Sequence, residues 1–396
     1  MASNIQYADV MTTAQLPDAL RDIYSAELEY TALPMLVFDQ FAEIKNEHAL
    51  ERGETAIWTI MRQLPATIGS LVENVDVDTQ RAQDFQVQMS VDEYGNAIGT
   101  TRKLDLLSYF GPISTIVRGL LAPQMARTLD TLARNAAWSG APKRFAGGAA
   151  NRAALTAADV ATVDIVKSAA HQLRINRVLP QGSDYVAVVH PSVLYDLRDD
   201  PLWEDAGKYA DPGRLAAGEV GRLYGVRFIQ SDLARIPNGG AQTLQTTLTG
   251  AHDVGSLNLT LASTAGMNVG DEITLFAAAQ TIPDGTGVTE EPVIIQAVTD
   301  GTHVALEHAT QIAHANADKV RLGLDIFPMM FMGAENPYGK AVVQSPQVVV
   351  ALPTDKLRRM NYVGWYALLG YGTLREWAYL VVETAASQDS KYLFGT

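Results

Sequence analysis

The sequence predicts an α+β fold, and three patterns carry this prediction. The stretch from Tyr109 to Gly140 repeats apolar residues at spacings of three and four, which is the period of an amphipathic helix. The stretch from Gly53 to Leu107 alternates apolar and polar residues, which is the period of a strand. From Thr156 to Asp232, helical and strand-like patterns follow one another, as they do in an α/β unit.

The composition is that of an ordinary globular chain with an acidic balance. Its 396 residues are 47% hydrophobic, and 44 acidic residues outweigh 30 Lys and Arg to give a net charge of −14. This charge opposes binding to nucleic-acid phosphates and to anionic membranes. The chain has no cysteine, which excludes disulfides, thiolate metal sites and thiol catalysis. We also find no signal peptide and no apolar stretch of membrane-spanning length, so we expect a protein that is made and kept in the cytoplasm or is released only when a cell breaks.

The first 52 residues are predicted to be an N-terminal arm. After a polar start, residues 16–45 show a helical pattern in two pieces divided by Pro34. Two interpretations remain open: a pair of amphipathic core helices, or an arm that packs on a neighbouring subunit.

Residues 84–107 are predicted to form a long antiparallel hairpin. Phe85, Val87 and Met89 alternate with polar residues, and Gly95-Asn96 is a typical turn pair. Because isolated two-stranded hairpins are marginal in water, this one needs a surface to lie on, either its own core or another molecule.

The stretch from Tyr109 to Gly140 predicts the longest helix of the chain, from Gly111 to Ser139. Pro123 lies inside it, so we expect either a kink or a short helix followed by a longer one. The apolar stripe must be covered. The C-terminal strands that carry Trp365 and Trp377 are the best candidates to cover it.

The α/β unit is expected to begin with a helix from Thr156 to about Arg177, with Thr156 and Asp159 as a capping box. A buried strand ending at Pro191, a short helix, a helix near 215–223 and the strand 226–232 follow. The next segment, 238–322, is rich in Thr, Ala and Gly and shows five strand-like runs, which predicts an inserted small β-barrel or sandwich. The alternative, a structureless loop of this length, is rare in compact domains.

The C-terminal part is predicted to contain three strands. They cover residues 347–352, 362–369 and 373–384, with Gly370 to Gly372 as a tight turn between the last two.

No motif in the sequence carries recognisable catalytic chemistry. The stretch from Gly333 to Ala341 resembles a phosphate loop but has the wrong glycine spacing and lacks the final Ser or Thr. His303, His308 and His314 do not have zinc-binding spacing. The acidic loop 199–205 is interpreted as solvated surface. We therefore predict no catalytic, cofactor-binding or metal-binding residues, and no cofactor.

The order of these elements resembles that of the major capsid proteins of tailed bacteriophages, whose coat fold was first described in a Hong Kong lambdoid phage and is shared with herpesviruses. Three stretches resemble the coat proteins of podophages in particular: LPDALRDIYSAELEYTALPMLVFDQFA, YFGPISTIVRGLLAPQMARTLDTLARNA and YVGWYALLGYGTLREWAYLVVETAAS. The resemblance covers roughly residues 14–237 and 325–390.

This resemblance implies a division of the chain into capsid domains. We expect an N-terminal arm at 1–52, an extended β-hairpin loop at 53–110, a peripheral domain with the spine helix at 111–150 and 353–396, an axial α/β domain at 151–237 and 323–352, and an inserted β-domain at 238–322. The extended loop would reach over a neighbouring subunit.

The function that this resemblance implies is structural and non-catalytic. The chain would assemble with itself into hexamers and pentamers of an icosahedral shell in the virion, with scaffolding, portal and decoration proteins as partners and no sequence-specific nucleic-acid binding. The subunit-contact candidates are Trp58, Phe85, Tyr94, Asn96, Arg102 and Lys103. Some family members crosslink a lysine to an asparagine; Lys103 lies in a predicted strand, but we find no matching catalytic carboxylate.

Two other functions stay open at the level of the sequence. One is a carbohydrate-binding or adhesive surface protein that acts through the Thr-rich insert, although such a protein would need an export signal. The other is a hydrolase that uses the acidic loop 199–205.

Overall fold

The structure, a computed structural model, describes residues 10–11, 36–45, 55–62, 79–107, 113–203, 221–285, 289–351 and 359–388, together with positions 64, 66, 68, 70, 73 and 76. The chain divides into two compact units. The first takes its described residues from the ranges 1–34, 43–128 and 339–374, and the second from 35–42, 129–338 and 375–396. No helix in the described ranges is long and apolar enough to cross a membrane.

The first unit contains a five-stranded mixed sheet. Its strands lie in the order β1, β5, β18, β17, β2, with bounds β1 Val10–Met11, β2 Glu43–Lys45, β5 Asp92–Thr101, β17 Tyr338–Ala351 and β18 Met360–Thr373. The central pair, β5 and β18, is antiparallel over ten residue pairs. The two short outer strands β1 and β2 pair in parallel with their neighbours. Sequence-distant segments therefore meet in one sheet.

The hairpin of the first unit is formed by different strands from those predicted. β3 (Thr55–Met61) pairs antiparallel with β4 (Asp84–Ser90), and the two make a separate two-stranded sheet. The predicted turn at Gly95-Asn96 is wrong, because both residues lie inside the continuous strand β5. Gly95 is needed there for close packing: a Cβ on it would lie 2.7 Å from the carbonyl oxygen of Trp365 in β18.

The long helix is confirmed and ends at Ser139 as predicted, while the predicted start at Gly111 lies outside the described residues. After a short helix α1 (Arg102–Leu107), helix α2 runs from Ile113 to Ser139 without a break at Pro123. In the first unit, Trp365 Nε1 donates to Gln124 Oε1 on this helix at 3.2 Å. In the second unit, the hydroxyl of Tyr379 donates to the carbonyl of Ala137 at 2.9 Å.

The predicted strand that carries Trp377 does contact α2, but through Tyr379 of β19 and not through Trp377. Trp377 lies in a 3-10 turn (Glu376–Ala378), is 40% exposed, and its carbonyl accepts from Asn176. The predicted turn at Gly370 to Gly372 is also wrong, since these residues continue β18. A Cβ on Gly370 would lie 2.0 Å from the carbonyl oxygen of Ser90.

The second unit is built on a six-stranded mixed sheet in the order β6, β19, β16, β7, β9, β8. The strands are β6 Lys143–Phe145, β7 Tyr185–Val189, β8 Arg222–Leu223, β9 Val226–Gln230, β16 Phe327–Met332 and β19 Tyr379–Thr384. Helices α3 (Val163–Ile175) and α4 (Pro191–Asp199) share a hydrophobic core with this sheet. Every residue of β7, β16 and β19 is buried, which agrees with the unbroken apolar sequences of β7 and β16, while β19 also buries Glu383 and Thr384.

Helix α3 begins seven residues later than predicted. Thr156 and Asp159 do hydrogen-bond as a capping pair would, with the backbone N–H and the hydroxyl of Thr156 both 2.8 Å from Asp159 Oδ2. They close a turn, however, and the helix starts at Val163, whose N–H is capped by Asp200 Oδ2 at 3.0 Å.

The insert forms a second six-stranded sheet, and each of the five strand-like runs predicted in it contains a strand. The order is β10, β15, β12, β13, β14, β11, with bounds β10 Gln242–Thr247, β11 Asn258–Thr260, β12 Glu272–Phe276, β13 Glu290–Val298, β14 His303–Leu306 and β15 Lys319–Gly323. It has its own hydrophobic core. The two outer strands meet just beyond their ends, where Thr249 N donates to Thr260 O and Ala262 N donates to Thr247 O.

Two regions that the sequence predicts to be helical lie partly outside the described residues. Of the helical pattern at 16–45, residues 36–45 are described, and they contain a 3-10 turn (Asp39–Phe41) and strand β2 rather than an α-helix. Of the helix expected near 215–223, residues 221–223 are described, and 222–223 form strand β8.

Candidate intersubunit surfaces

The inner face of the β3–β4 hairpin is anchored in its own unit. Ala56, Trp58 and Met89 are buried together with Ala341 and Leu374 in one hydrophobic cluster. Trp58 is 6% exposed, and the ammonium of Lys45 lies 5.1 Å from its ring centroid. The burial of Trp58 thus attaches the hairpin to the rest of its own unit.

The outer face of the same hairpin is exposed along its whole length. The side chains of Thr55, Ile57, Thr59 and Met61 alternate with the inner ones and stand opposite Ser90, Gln88, Gln86 and Asp84 of β4. Ile57 is 41% exposed and Met61 70%. Beyond the strand, Leu64 and Ile68 are also exposed, Ile68 to 94%. Exposed apolar side chains grouped on one hairpin face and the residues that follow it are a candidate surface for another molecule to cover.

Phe85 lies at the far end of the inner face. It pairs with Ile60 across the hairpin and is half-buried, with the guanidinium of Arg62 5.8 Å from its ring centroid. Phe85 and Trp58 therefore share one face but differ in burial.

A shallow groove of about 670 Å³ crosses the five-stranded sheet. Its lining is Gly95, Asn96, Ala97, Val349, Tyr362, Gly364, Trp365 and Tyr366. The strand register sets Gly95 opposite Tyr366 and Ala97 opposite Gly364, so small residues form the floor between two tyrosines. The adjoining end of β17 exposes three consecutive valines, Val348 to Val350.

Tyr94 and Asn96 are neighbours in β5 near this groove. Asn96 is exposed, and its side-chain oxygen accepts from the N–H of Ala97 at 2.8 Å. Tyr94 is half-buried, and burial, aided by the charge of Asp92, raises the pKa of its hydroxyl.

Arg102 and Lys103 begin helix α1, so the expectation that Lys103 lies in a strand is wrong. The backbone N–H of Arg102 donates to Arg359 O at 2.6 Å, and the hydroxyl of Thr101 accepts from Leu104 N at 3.3 Å. Leu104 is buried, while Arg102 and Lys103 both expose their side chains.

The structure thus brings the predicted contact residues together in three places rather than one. Trp58 and Phe85 share the inner hairpin face, Tyr94 and Asn96 lie on β5, and the two basic residues lie on α1. The exposed outer face with Ile57 and Met61 was not among the predicted contact residues. The strict alternation of TAIWTIM was the available signal, since it predicts a second face of equal length.

Two residues from the stretches that were weighed as catalytic or metal-binding candidates, Asp200 and His314, contact other groups of the fold. Asp200 accepts from Val163 N and, through its other oxygen, from Leu202 N at 2.9 Å. His314 is buried with its Nε2 3.3 Å from Glu291. Among the described residues, no group of three or more His, Asp or Glu side chains is arranged to hold a metal ion.

Comparison with known proteins shows which solved structures share the fold of this chain. No family model matches the chain, and no curated protein matches it. Solved structures do match over nearly their whole length. The cyanophage Pam1 capsid subunit has a TM-score of 0.56 at 13% identity, covering 97% of this chain and 100% of the other. The capsid of Ralstonia phage GP4 gives 0.56 at 12% identity, covering 98% and 99%, and the Helicobacter pylori bacteriophage KHP30 capsid gives 0.55 at 12%, covering 97% and 100%. The α+β expectation is confirmed, and the fold is the one seen in these phage capsids.

Proposed function

We propose that this chain is the major capsid protein of a tailed bacteriophage, which assembles with copies of itself into the icosahedral shell around the genome. The observation that carries the proposal is the whole-length match to capsid structures, because it leaves almost no residue of either chain for an additional domain. A fold alone does not determine function, so the surfaces must also fit the role.

The hairpin surface fits a shell subunit. Its base is buried in its own unit through Trp58, while its outer face exposes Ile57 and Met61 to a partner. A shell needs such heterologous contacts, in which one patch meets a different patch on the next copy. We infer that the outer hairpin face and the glycine-floored groove both contact second copies of the chain. Phe85, Tyr94, Asn96, Arg102 and Lys103 stay candidates at the edges of these surfaces.

The domain roles follow the same proposal. Residues 53–110 would act as the extended loop, 111–150 and 353–396 as the peripheral domain with α2 as spine helix, and 151–237 with 323–352 as the axial domain. Residues 1–52 would form the arm. For 238–322 we propose a small closed barrel, which is supported by the backbone hydrogen bonds between its two outer strands beside Leu248 and Leu261.

The remaining parts of the proposal concern partners and place. We propose a non-enzymatic chain that is assembled in the host cytoplasm and ends in the virion. Scaffolding, portal and decoration proteins would be its partners, and it would bind no specific nucleic-acid sequence. A net charge of −14 supports this last point, because the shell would repel the packaged genome rather than clamp it. The adhesive alternative rests on the composition of the insert alone.

Expression of the full chain, alone and with its neighbouring head proteins, tests the proposal. Sedimentation and electron microscopy should show capsomers or closed shells of uniform diameter. A stable chain that stays monomeric under both conditions and up to high concentration would contradict it.

A further inference from the structure

Exposed arginines surround a group of exposed apolar side chains at the carboxyl end of helix α3. Ile175, the last residue of the helix, is 58% exposed, and Leu179 is 65% exposed. Trp377, which is 40% exposed, lies beside them, because its carbonyl accepts from Asn176 Nδ2 at 3.1 Å. Three arginines with exposed side chains complete this surface, which is called here the arginine patch: Arg144, Arg174 and Arg177.

Hydrogen bonds show that the arginine patch is continuous. Arg144 Nη2, on β6, donates to Gln172 Oε1 on α3 at 2.5 Å. Gln172 Nε2 donates to Asn176 Oδ1 at 3.1 Å, and Asn176 in turn binds the carbonyl of Trp377 just before β19. Residues from β6, from the end of α3 and from the start of β19 therefore form one surface of the second unit.

The positive charge of the arginine patch is not neutralised within the described chain. None of its three arginines forms an ion pair with a described residue. With Glu376 counted, which is exposed beside Trp377, the patch still has an excess of positive charge. A chain whose net charge is −14 thus has a surface that is both cationic and apolar.

The inserted sheet has the opposite charge. Residues 238–322 contain nine acidic and two basic residues, so they supply a net charge of −7, half of the total. Both cations bind groups of the fold: Lys319 donates to the carbonyl of Gln280, and the buried Arg321 donates to the carbonyl of Gly240. The outer surface of the insert is therefore acidic.

One end of the insert combines this acidity with exposed apolar side chains. Val254 is 63% exposed and Leu257 51%, and the carboxylates of Asp253 and Glu307 are exposed as well. The two loops that carry these residues are joined, because Leu306 N donates to Leu257 O at 2.8 Å. This surface is called here the acidic end, and its residues are Asp253, Val254, Leu257 and Glu307.

We propose that the acidic end of one copy binds the arginine patch of a second copy. The proposal rests on the proposed function, since it names two surfaces through which shell subunits meet. Both surfaces are exposed within a single copy, so neither covers the other in the same chain. The contact is heterologous, as a ring or a shell requires. Opposite charges fix its orientation, and the apolar side chains supply the area that it buries.

The main competing occupant of the arginine patch is nucleic acid. Arginines beside an exposed tryptophan suit a phosphate backbone and a stacked base. The observations favour a second copy, because the chain as a whole repels nucleic acid and because the acidic end offers both the charge and the apolar side chains that the patch needs.

Assembly of the full chain, followed by sedimentation, tests the contact. Arg174→Gln with Arg177→Gln removes two positive charges from the patch. Arg227→Glu is the matched control, because it changes the net charge equally at an exposed position of β9, on the opposite face of the strand from the core-facing Val226 and Phe228. The lowest concentration that gives capsomers or shells should rise at least about tenfold for the double variant and less than about twofold for the control.

A charge swap tests whether the acidic end is the partner. Arg174→Glu with Arg177→Glu places like charges across the contact and should weaken assembly further. Adding Asp253→Lys and Glu307→Lys to the same chain restores attraction with the signs exchanged. This fourfold variant should recover most of the lost assembly, whereas the two lysine substitutions alone should weaken it.

Crosslinking gives a second measurement that leaves the arginines in place. The chain has no cysteine, so Leu179→Cys and Val254→Cys can be made in separate chains, each at an exposed position. Particles assembled from a mixture of the two and treated with a short bismaleimide should give covalent dimers that contain one chain of each kind. Particles of either variant alone should give far fewer dimers.

The outcomes separate this contact from the function on which it rests. An unmodified chain that forms no assemblies overturns both. Normal assembly of the unmodified chain, with an unchanged threshold for Arg174→Gln, Arg177→Gln or with no mixed dimers, overturns the contact alone. Binding of a DNA oligonucleotide by the unmodified chain that is lost in the same double variant would assign the patch to nucleic acid and would also overturn it.

Discussion

The ion pair between Arg152 and Glu383 leads to the most quantitative prediction. Both side chains are buried, at 6% and 1% exposure, and they are joined by two charge-assisted hydrogen bonds. Arg152→Met fills similar space but leaves the Glu383 carboxylate buried without its partner. Removing one member of a buried pair costs about 3–5 kcal/mol, and the lost bond to Pro283 adds to this loss.

The assay is urea unfolding of the full chain followed by circular dichroism, with hydrogen exchange of the β16 amides reporting the second unit. Arg152→Met should lower the unfolding free energy of that unit by about 3–5 kcal/mol. The double variant Arg152→Met, Glu383→Leu buries no charge and should recover at least half of the loss. A single-variant cost below about 1 kcal/mol, or a double variant as unstable as the sum of both singles, would refute the reasoning.

Three other perturbations have clear expected results. Gly370→Ala forces a Cβ to within 2.0 Å of the carbonyl of the last β4 residue, so urea unfolding should show a loss of about 2 kcal/mol or more. Burial lowers the pKa of His190 to about 4 from 6.5, so the chain should lose stability as the pH falls between these values, and His190→Asn should lose less in thermal unfolding. Ile57→Lys with Met61→Lys, which sets a lysine opposite Asp84, should leave the unfolding free energy within about 1 kcal/mol but weaken assembly, measured by sedimentation, far more than the exposed control Val269→Lys.

Different outcomes would contradict each of these expectations. Full stability of Gly370→Ala would mean that the strands β4 and β18 do not approach as closely as described. Equal acid sensitivity of His190→Asn and the unmodified chain would assign the loss to other groups. Normal shells from the doubly substituted hairpin would remove its outer face from the contact surface.

The errors in predicting turns have one physical cause. Gly95 and Gly370 were both interpreted as turn residues, and both lie inside strands. Glycine serves two purposes, a positive φ in turns and a close approach of another backbone in sheets, and a single sequence does not distinguish them. The approach depends on which strand lies across, and the partner of Gly370 is the carbonyl of Ser90, 280 positions away in the chain.

The long helix was predictable because its period is sustained. Leu121 and Leu129 are buried on either side of Pro123, so the packing of both halves outweighs the one backbone hydrogen bond that the proline removes. The residues that cover the apolar face of this helix were predicted only in part. Trp365 contacts the helix as expected, but Tyr379 rather than Trp377 does so further along, because Trp377 lies in a 3-10 turn (Glu376–Ala378) and β19 begins only at Tyr379.

The inserted sheet shows where local pattern stops being informative. Five of its strands carry apolar alternation and were predicted, while β10, with the sequence QTLQTT, has a single large apolar residue and was missed. Its position is set by backbone pairing with β15, which leaves no trace in composition. Burial is a second property that the local pattern does not give. Trp58 was predicted as a subunit-contact residue and is buried in its own unit, whereas Ile57 and Met61 on the opposite face of β3 are exposed.

A density map at side-chain resolution of particles formed by the purified chain tests the central claim most directly. We expect closed shells in which the outer face of each β3–β4 hairpin, with Ile57 and Met61, is covered by a neighbouring copy. A chain that forms no particles, or particles in which this face contacts only its own subunit or solvent, would contradict the account.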